Sequence, residues 1–244
     1  MYTFDSRIRY SETDSESRLT LEALLDYFQD CSTFHSEDLG VGLEYLNERN
    51  LFWVVISWQI VVDRYPKLGE RVTIGTFPYE FKGCFGYRNF CMLDEAGNYI
   101  AKANSLWALL NKDTLRPGHP TPEMLEKYIL EEKLPMEYAG RKIEVPERGG
   151  MEEPITVMSW HLDANNHVNN GQFVRMAMSQ LPKRVPVAQL RAEYKRQAHL
   201  DDVLQTYVGY RTGEDGRNIW VVSLQDEQGD VYANVELEEK QEDI

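Results

Sequence analysis

The chain has 244 residues and a hydrophobic fraction of 42%, enough apolar material for one large domain or two small ones with a real core. Its formal net charge of -14 creates a field that repels nucleic acid and anionic membrane surfaces, and no apolar run approaches the roughly 18–20 residues that cross a bilayer. The N-terminal stretch MYTFDSRIRYSETD lacks the basic-then-apolar order of a secretion signal, so a cytoplasmic address is expected, and the three cysteines, Cys31, Cys84 and Cys91, form no CxxC pair and read as reduced thiols.

The first helix candidate lies in TDSESRLTLEALLDYFQD. Leu21, Leu24, Leu25, Phe28 and Cys31 recur at helical spacing as one apolar stripe, with Thr20 as N-cap. Strand-like runs follow: LFWVVISWQIVVD, ERVTIGTF, YRNFCML and YIAKANSLWALLNK, punctuated by the turns YPKLGE and DEAGN. The segment RPGHPTPEMLEKYILEEKLPMEYAG, rich in proline and charge, reads as a linker with a short helix. It puts a boundary near residues 111–140 and divides the chain into units 1–135 and 136–244. His119, inside that linker, reads as a loop residue.

The second half repeats the first. Setting Asp14 on Asp163, a shift of 149 (163 - 14), aligns Glu16 with Asn165, Arg18 with His167 and Leu19 with Val168. A second helix candidate, GQFVRMAMSQL, carries Phe173, Met176, Ala177 and Leu181 on one stripe. The strand runs VAQLRAEYKRQ, DVLQTYVGYR, NIWVVSLQDE and DVYANVELEEK come after it. Even the turns correspond, KLGERV with HLDDVL. The expected class is α+β: two tandem units, each a long helix on a curved antiparallel sheet.

One loop stands out. In HLDANNHVNN, Asp163, Asn165 and His167 occupy alternate positions, which in an extended segment turns all three to one side. A plainer reading is available for each: a histidine ahead of a helix is often a hydrogen-bonded structural residue, Asp163 can cap a turn, and Asn169 and Asn170 suit an N-cap.

LDANNHVNN followed downstream by EYKRQ resembles the acyl-ACP thioesterase family, whose members carry an LDxNxHVNN segment ahead of an EYxxE strand. YSETDSESRLTLEALLDYFQD and LFWVVISWQI resemble the family's first half. The resemblance implies a hot-dog fold in fused double form. It also implies hydrolysis of the thioester that joins a fatty acyl chain to the phosphopantetheine arm of acyl carrier protein, with no metal or dissociable cofactor.

Asp163, Asn165 and His167 then take the catalytic positions. Gln197 stands where the family has a catalytic glutamate, and Ala198 where many plant members have cysteine. Thioester hydrolysis needs a positioned water, a group to take its proton and donors for the oxyanion. His167, with an ordinary pKa of about 6.5, is the natural base, while Asp163 orients it or activates water and Asn165 holds water or the carbonyl oxygen. Gln197, expected from the facing strand, orients the water but cannot take its proton. The start of the second helix is expected to offer free backbone N–H groups to the oxyanion.

By the same resemblance the first half, which lacks the histidine and asparagine, binds the acyl chain through Trp53, Ile56, Trp58, Ile60, Trp107 and Leu109. A strongly acidic enzyme must meet acidic acyl carrier protein through a local basic patch. Lys183, Arg184, Arg191, Lys195 and Arg196 are the candidates, with Arg141 and Lys142 beside them; a merely solvated basic face is the plainer alternative. The rival functions are hydrolysis of acyl-CoA and silent acyl-thioester binding. Two units in one chain allow a monomer or a homodimer.

Overall fold

The computed structural model describes residues 1–163, 165–182, 185–213 and 216–240. They group into two compact units: Met1–Ile56 with Val62–Tyr138, and Ser57–Val61 with Ala139–Ile244.

The first unit runs β1 (Tyr2–Arg7), α1 (Leu21–Asp38), α2 (Leu43–Glu48), β2 (Leu51–Val62), β3 (Arg71–Lys82), β4 (Phe85–Asp94), β5 (Tyr99–Asn111) and α3 (Pro122–Lys127). Its strands lie in the order β1-β3-β4-β5-β2. The β1–β3, β3–β4 and β4–β5 pairs are antiparallel, and α1 packs on β1 and β3. Thr20 starts the helix by accepting the Ala23 N–H at 3.2 Å. The stripe Leu21, Leu24, Leu25, Phe28 and Cys31 is wholly buried, and each large apolar side chain contributes about 1.5–3 kcal/mol by leaving water. Gly40, at φ +65°, ends the helix in the left-handed conformation that favours glycine.

The proline-rich segment is packed rather than loose. Thr121 caps α3, Met124 and Tyr128 join Val41, Leu46 and Leu109 in one cluster, and Leu134 packs with Phe77 and Cys91. Buried in the same unit is Arg88, whose guanidinium donates to Thr76 Oγ1 at 3.2 Å and lies 3.0 Å from His35 Nδ1. Burial, with the Arg88 charge behind it, lowers the His35 pKa to about 4.

The second unit contains β6 (Gly149–Thr156), α4 (Asn170–Ser179), β7 (Val187–Tyr194), β8 (Val203–Thr212), β9 (Asn218–Gln225) and β10 (Val231–Glu239). The strand order is β7-β10-β9-β8-β6. The far part of β2 belongs here: Ser57 to Val61 pair antiparallel with Glu193 to Gln189 of β7, and Gln59 bonds Gln189 Oε1 at 2.7 Å and the Ala139 N–H at 3.0 Å. α4 packs on β9 and β10. It has 10 residues against 18 in α1, so Phe173, Met176 and Ala177 are buried within it while Leu181 falls past its end.

The run VAQLRAEYKRQ is shorter as a strand than its sequence suggests. It stops at Tyr194 because the Lys195 and Arg196 N–H groups both turn to the Tyr232 carbonyl, at 2.8 and 3.2 Å. Among the described residues no helix is long and apolar enough to cross a membrane.

Candidate active site

The loop of interest opens with a 3-10 turn at Ser159–His161 and ends at the N-cap of α4. Asp163 is its keystone. Its Oδ1 accepts the backbone N–H of Asn165 at 2.7 Å and of His167 at 3.4 Å, its own N–H donates to His167 O at 2.8 Å, and Asn166 takes a left-handed φ of 60° to close the turn. Leu162 and Val168 then bridge. The tight turn replaces the extended segment in which three side chains would alternate. Asn165 sits exposed at its tip and His167 is half-buried at its exit.

Asn169 caps α4 through its side chain, which accepts the Gly171 N–H at 2.8 Å, and its carbonyl accepts those of Gln172 and Phe173 at 2.9 and 3.4 Å. The expectation of free donors at this helix start is therefore corrected for these three N–H groups: the cap residue already occupies them.

Against the loop lies the turn His199–Asp202. Val168 N–H donates to Ala198 O at 2.9 Å, Val157 N–H to Asp202 O at 2.8 Å, and Asp201 N–H to Val157 O at 3.0 Å. The rings of His167 and His199 meet edge to face, 4.9 Å between centroids and 78° between planes. The His167 pKa is lowered, first by burial and then by the neighbouring His199, with the Asp163 carboxylate opposing both. The shift favours the unprotonated imidazole, the form a base requires.

Gln197 is half-buried in the connection between β7 and that turn, past the end of the strand from which it was expected. Ala198, next to it, is fully buried and serves the loop through its carbonyl.

The other predicted residues scatter. Trp53 on β2 packs with Phe81 beside the cluster around Leu109. Gly86, across from Trp107 in β4–β5 register, leaves room for both rings, since a Cβ there would sit 3.1 Å from Phe81 and 3.4 Å from Trp53. Ile56 is half-buried, while Trp58 and Ile60, 2% and 0% exposed, lie on the part of β2 that groups with the second unit.

Of the basic candidates, Lys183 and Arg184 lie outside the described residues. Arg191 does not belong to an open patch. Its side chain is 15% exposed and bonds the buried Glu236 at 2.7 Å and the Gly140 and Lys142 carbonyls at 2.6 and 2.9 Å, because a guanidinium inside β7 and β10 needs its charge and donors matched. Lys195 and Arg196 are more exposed, each near an acid: Lys195 3.7 Å from Glu193, Arg196 2.7 Å from Asp226 and stacked over Tyr232.

His199 was not singled out from sequence. The signal was present: the turn alignment KLGERV with HLDDVL begins on Lys67 and His199. Cys31 and Cys91 offer no competing nucleophile; burial pushes the Cys31 thiol up to about 12 and the Cys91 thiol up to about 11.

A helix laid on an antiparallel sheet, present twice, with an imidazole-bearing loop ahead of the second helix, defines a double hot-dog protein. Residues 1–128 match the acyl-ACP thioesterase N-terminal domain, and the chain belongs to the acyl-ACP thioesterase family. The chloroplastic palmitoyl-acyl carrier protein thioesterase of Gossypium hirsutum is 26% identical over 217 residues, 82% of this chain and 52% of that protein. The chain spans about half the length of the curated relatives it matches. In fold, it superposes on an acyl-ACP thioesterase from Bacteroides thetaiotaomicron with a TM-score of 0.87 and 24% identity, covering 98% of this chain and 97% of the other. It superposes on the 12:0-ACP thioesterase of Umbellularia californica with a TM-score of 0.86 and 21% identity, covering 99% and 94%.

Proposed function

We propose that this protein hydrolyses the thioester of a fatty acyl chain carried on acyl carrier protein. One observation carries the reading: ahead of α4, a half-buried imidazole of lowered proton affinity, His167, stands on a loop closed by the Asp163 carboxylate, which accepts the Asn165 and His167 N–H groups. Membership in the family supports the reaction class, and the relative from Gossypium hirsutum, by its name, acts on a palmitoyl-acyl carrier protein.

The chemistry follows from the residues. A water oxygen bonds to the carbonyl carbon while its proton passes to His167. The tetrahedral oxyanion collapses, the C–S bond breaks, and the proton moves from His167 to the departing thiolate. One water is consumed, a fatty acid and a thiol are formed, and His167 ends as it began. Asp163 holds the loop, and its charge favours the imidazolium that forms transiently. The amides of Asn165 and Gln197 orient the water and the carbonyl oxygen. Gln197 cannot take a proton, which leaves that task to His167.

Acyl-chain contact is assigned to Trp53, Ile56 and Trp107 of the first unit. Carrier contact is assigned to Lys195 and Arg196; reversing both charges is expected to raise KM for acyl-ACP and flatten its salt dependence.

The deciding measurement is thiol release from acyl-ACP and acyl-CoA of graded chain length, for wild type and His167→Ala. Release that prefers the ACP series and collapses in the variant is expected. Binding of acyl-ACP without release overturns the reading in favour of a silent thioester binder. In the same assay Gln197→Glu is expected to raise the rate by adding a carboxylate base; a strong loss instead would give the amide a role of its own.

A further inference from the structure

The reaction just described makes no use of His199, yet the fold holds this residue with care. Its backbone N–H donates to Asp202 Oδ2 at 2.8 Å, and its Nδ1 lies 3.9 Å from the same oxygen. The Asp202 N–H closes the turn onto His199 O at 3.2 Å, Asp201 takes a left-handed φ of 66° to allow it, and the Tyr232 hydroxyl of β10 donates to Asp202 at 3.4 Å.

In the first unit the matching turn is Lys67–Glu70. Lys67 N–H donates to Glu70 Oε2 at 3.0 Å, and Glu70 N–H to Lys67 O at 3.0 Å. There Arg18 bridges Lys67 through the backbone. The frame therefore sets residue 18 opposite residue 67 along the backbone in the first copy, and brings the rings of residues 167 and 199 together in the second. The first copy fills the positions with two permanent cations, the second with two imidazoles that can each lose a proton.

We propose that His199 is a positioning residue for His167, the second member of a histidine pair that governs the orientation and the electrostatics of the catalytic imidazole. The chemical meaning of the pair rests on the thioesterase reading; its geometry does not. An edge-to-face neighbour at 4.9 Å limits the planes His167 can adopt. A positive charge on His199 opposes a second one on His167, so a proton taken from water is quickly passed on to the leaving thiolate. His199 itself neither gains nor loses a proton in the balance. The groups around the pair are Asp163 beside His167 and Asp202 beside His199; the Tyr232 hydroxyl of β10, under the Arg196 guanidinium, bonds Asp202 in turn. With an amide at position 197, the second imidazole supplies a titratable neighbour that Gln197 cannot.

The test follows the His167 ring protons by NMR as pH is varied, in wild type, His199→Gln and His199→Lys, alongside the pH profile of kcat/KM for acyl-ACP. In His199→Gln the His167 titration is expected to move up by about half a pH unit or more, and the acidic limb of the profile with it. In His199→Lys, which restores the cation that Lys67 provides in the first copy, both are expected to stay near wild type. Thermal melting checks that each variant folds. An unmoved His167 titration in folded His199→Gln, or an equal upward move in both variants, overturns the proposal. If the titration behaves as expected while wild type releases no thiol from any thioester, the pair stands and the thioesterase reading falls.

Discussion

The loop from Tyr10 to Thr20 and the loop from Ser159 to Asn169 share one backbone and differ in almost every side chain that could do chemistry. Both begin with a 3-10 turn whose third residue reaches back to the N-cap backbone, Glu12 to the Arg9 N–H and His161 to the Met158 N–H. In both, an aspartate accepts two backbone N–H groups, Asp14 from Glu16 and Arg18 at 2.8 and 3.1 Å, Asp163 from Asn165 and His167. Both place a non-glycine residue at positive φ, Ser17 and Asn166, and both tie the residue two further on to the start of the facing turn, Leu19 to Pro66 O and Val168 to Ala198 O. The comparison teaches that Asp163 earns its position as a turn residue before any catalytic role. What distinguishes the second copy is Asn165 for Glu16, His167 for Arg18 and His199 for Lys67.

The contrast can be broken most sharply at position 167. His167→Ala is expected to cut thiol release roughly 10²- to 10⁴-fold, the usual worth of a general base, whereas Arg18→Ala should change it less than about twofold; equal losses would erase the asymmetry. Next in size are the keystones. Asp14→Ala and Asp163→Ala each leave two backbone N–H groups without their acceptor, so each should lower stability by about 1–2 kcal/mol in thermal or urea melts. Asp163→Asn, which keeps the acceptor, should melt like wild type while turning over more slowly; wild-type turnover would reduce Asp163 to its structural task.

The smallest effect concerns His35, another histidine of lowered pKa. Since His35 in the folded chain titrates at about 4, below its unfolded value, the unfolded state binds more protons between the two values. Its share of stability is complete above about pH 6.5 and is lost as pH falls towards 4. Because the ring is only partly buried, screening leaves a change on the order of 1 kcal/mol. His35→Gln should flatten the melting temperature over that window, and an unaltered slope would detach His35 from acid sensitivity.

Much of this comparison was legible in the residues. The apolar stripe of α1 and the 149-residue shift (163 - 14) rest on periodicity and spacing, which survive in sequence because burial demands them. The catalytic geometry was less so. An alternate pattern in HLDANNHVNN suggested an extended segment, but the Asp163 carboxylate bends it into a turn, a local hydrogen bond that competes with extension. Gln197 was expected on a strand because EYKRQ reads as continuous, and the strand end depends on a carbonyl of β10 more than 30 residues away. Arg191 read as one of a basic run since its partner Glu236 is remote in sequence. His199 was hidden by being read only as part of a turn.

The part of β2 from Ser57 to Val61 carries a consequence for any attempt to divide the chain at Tyr138. A fragment beginning at Ala139 would lack the strand that covers the edge of β7, and an uncovered edge invites pairing with other molecules. On its own, the fragment from Ala139 should therefore need a supplied peptide spanning β2, and the duplication visible in the sequence is not a seam along which the protein can be cut.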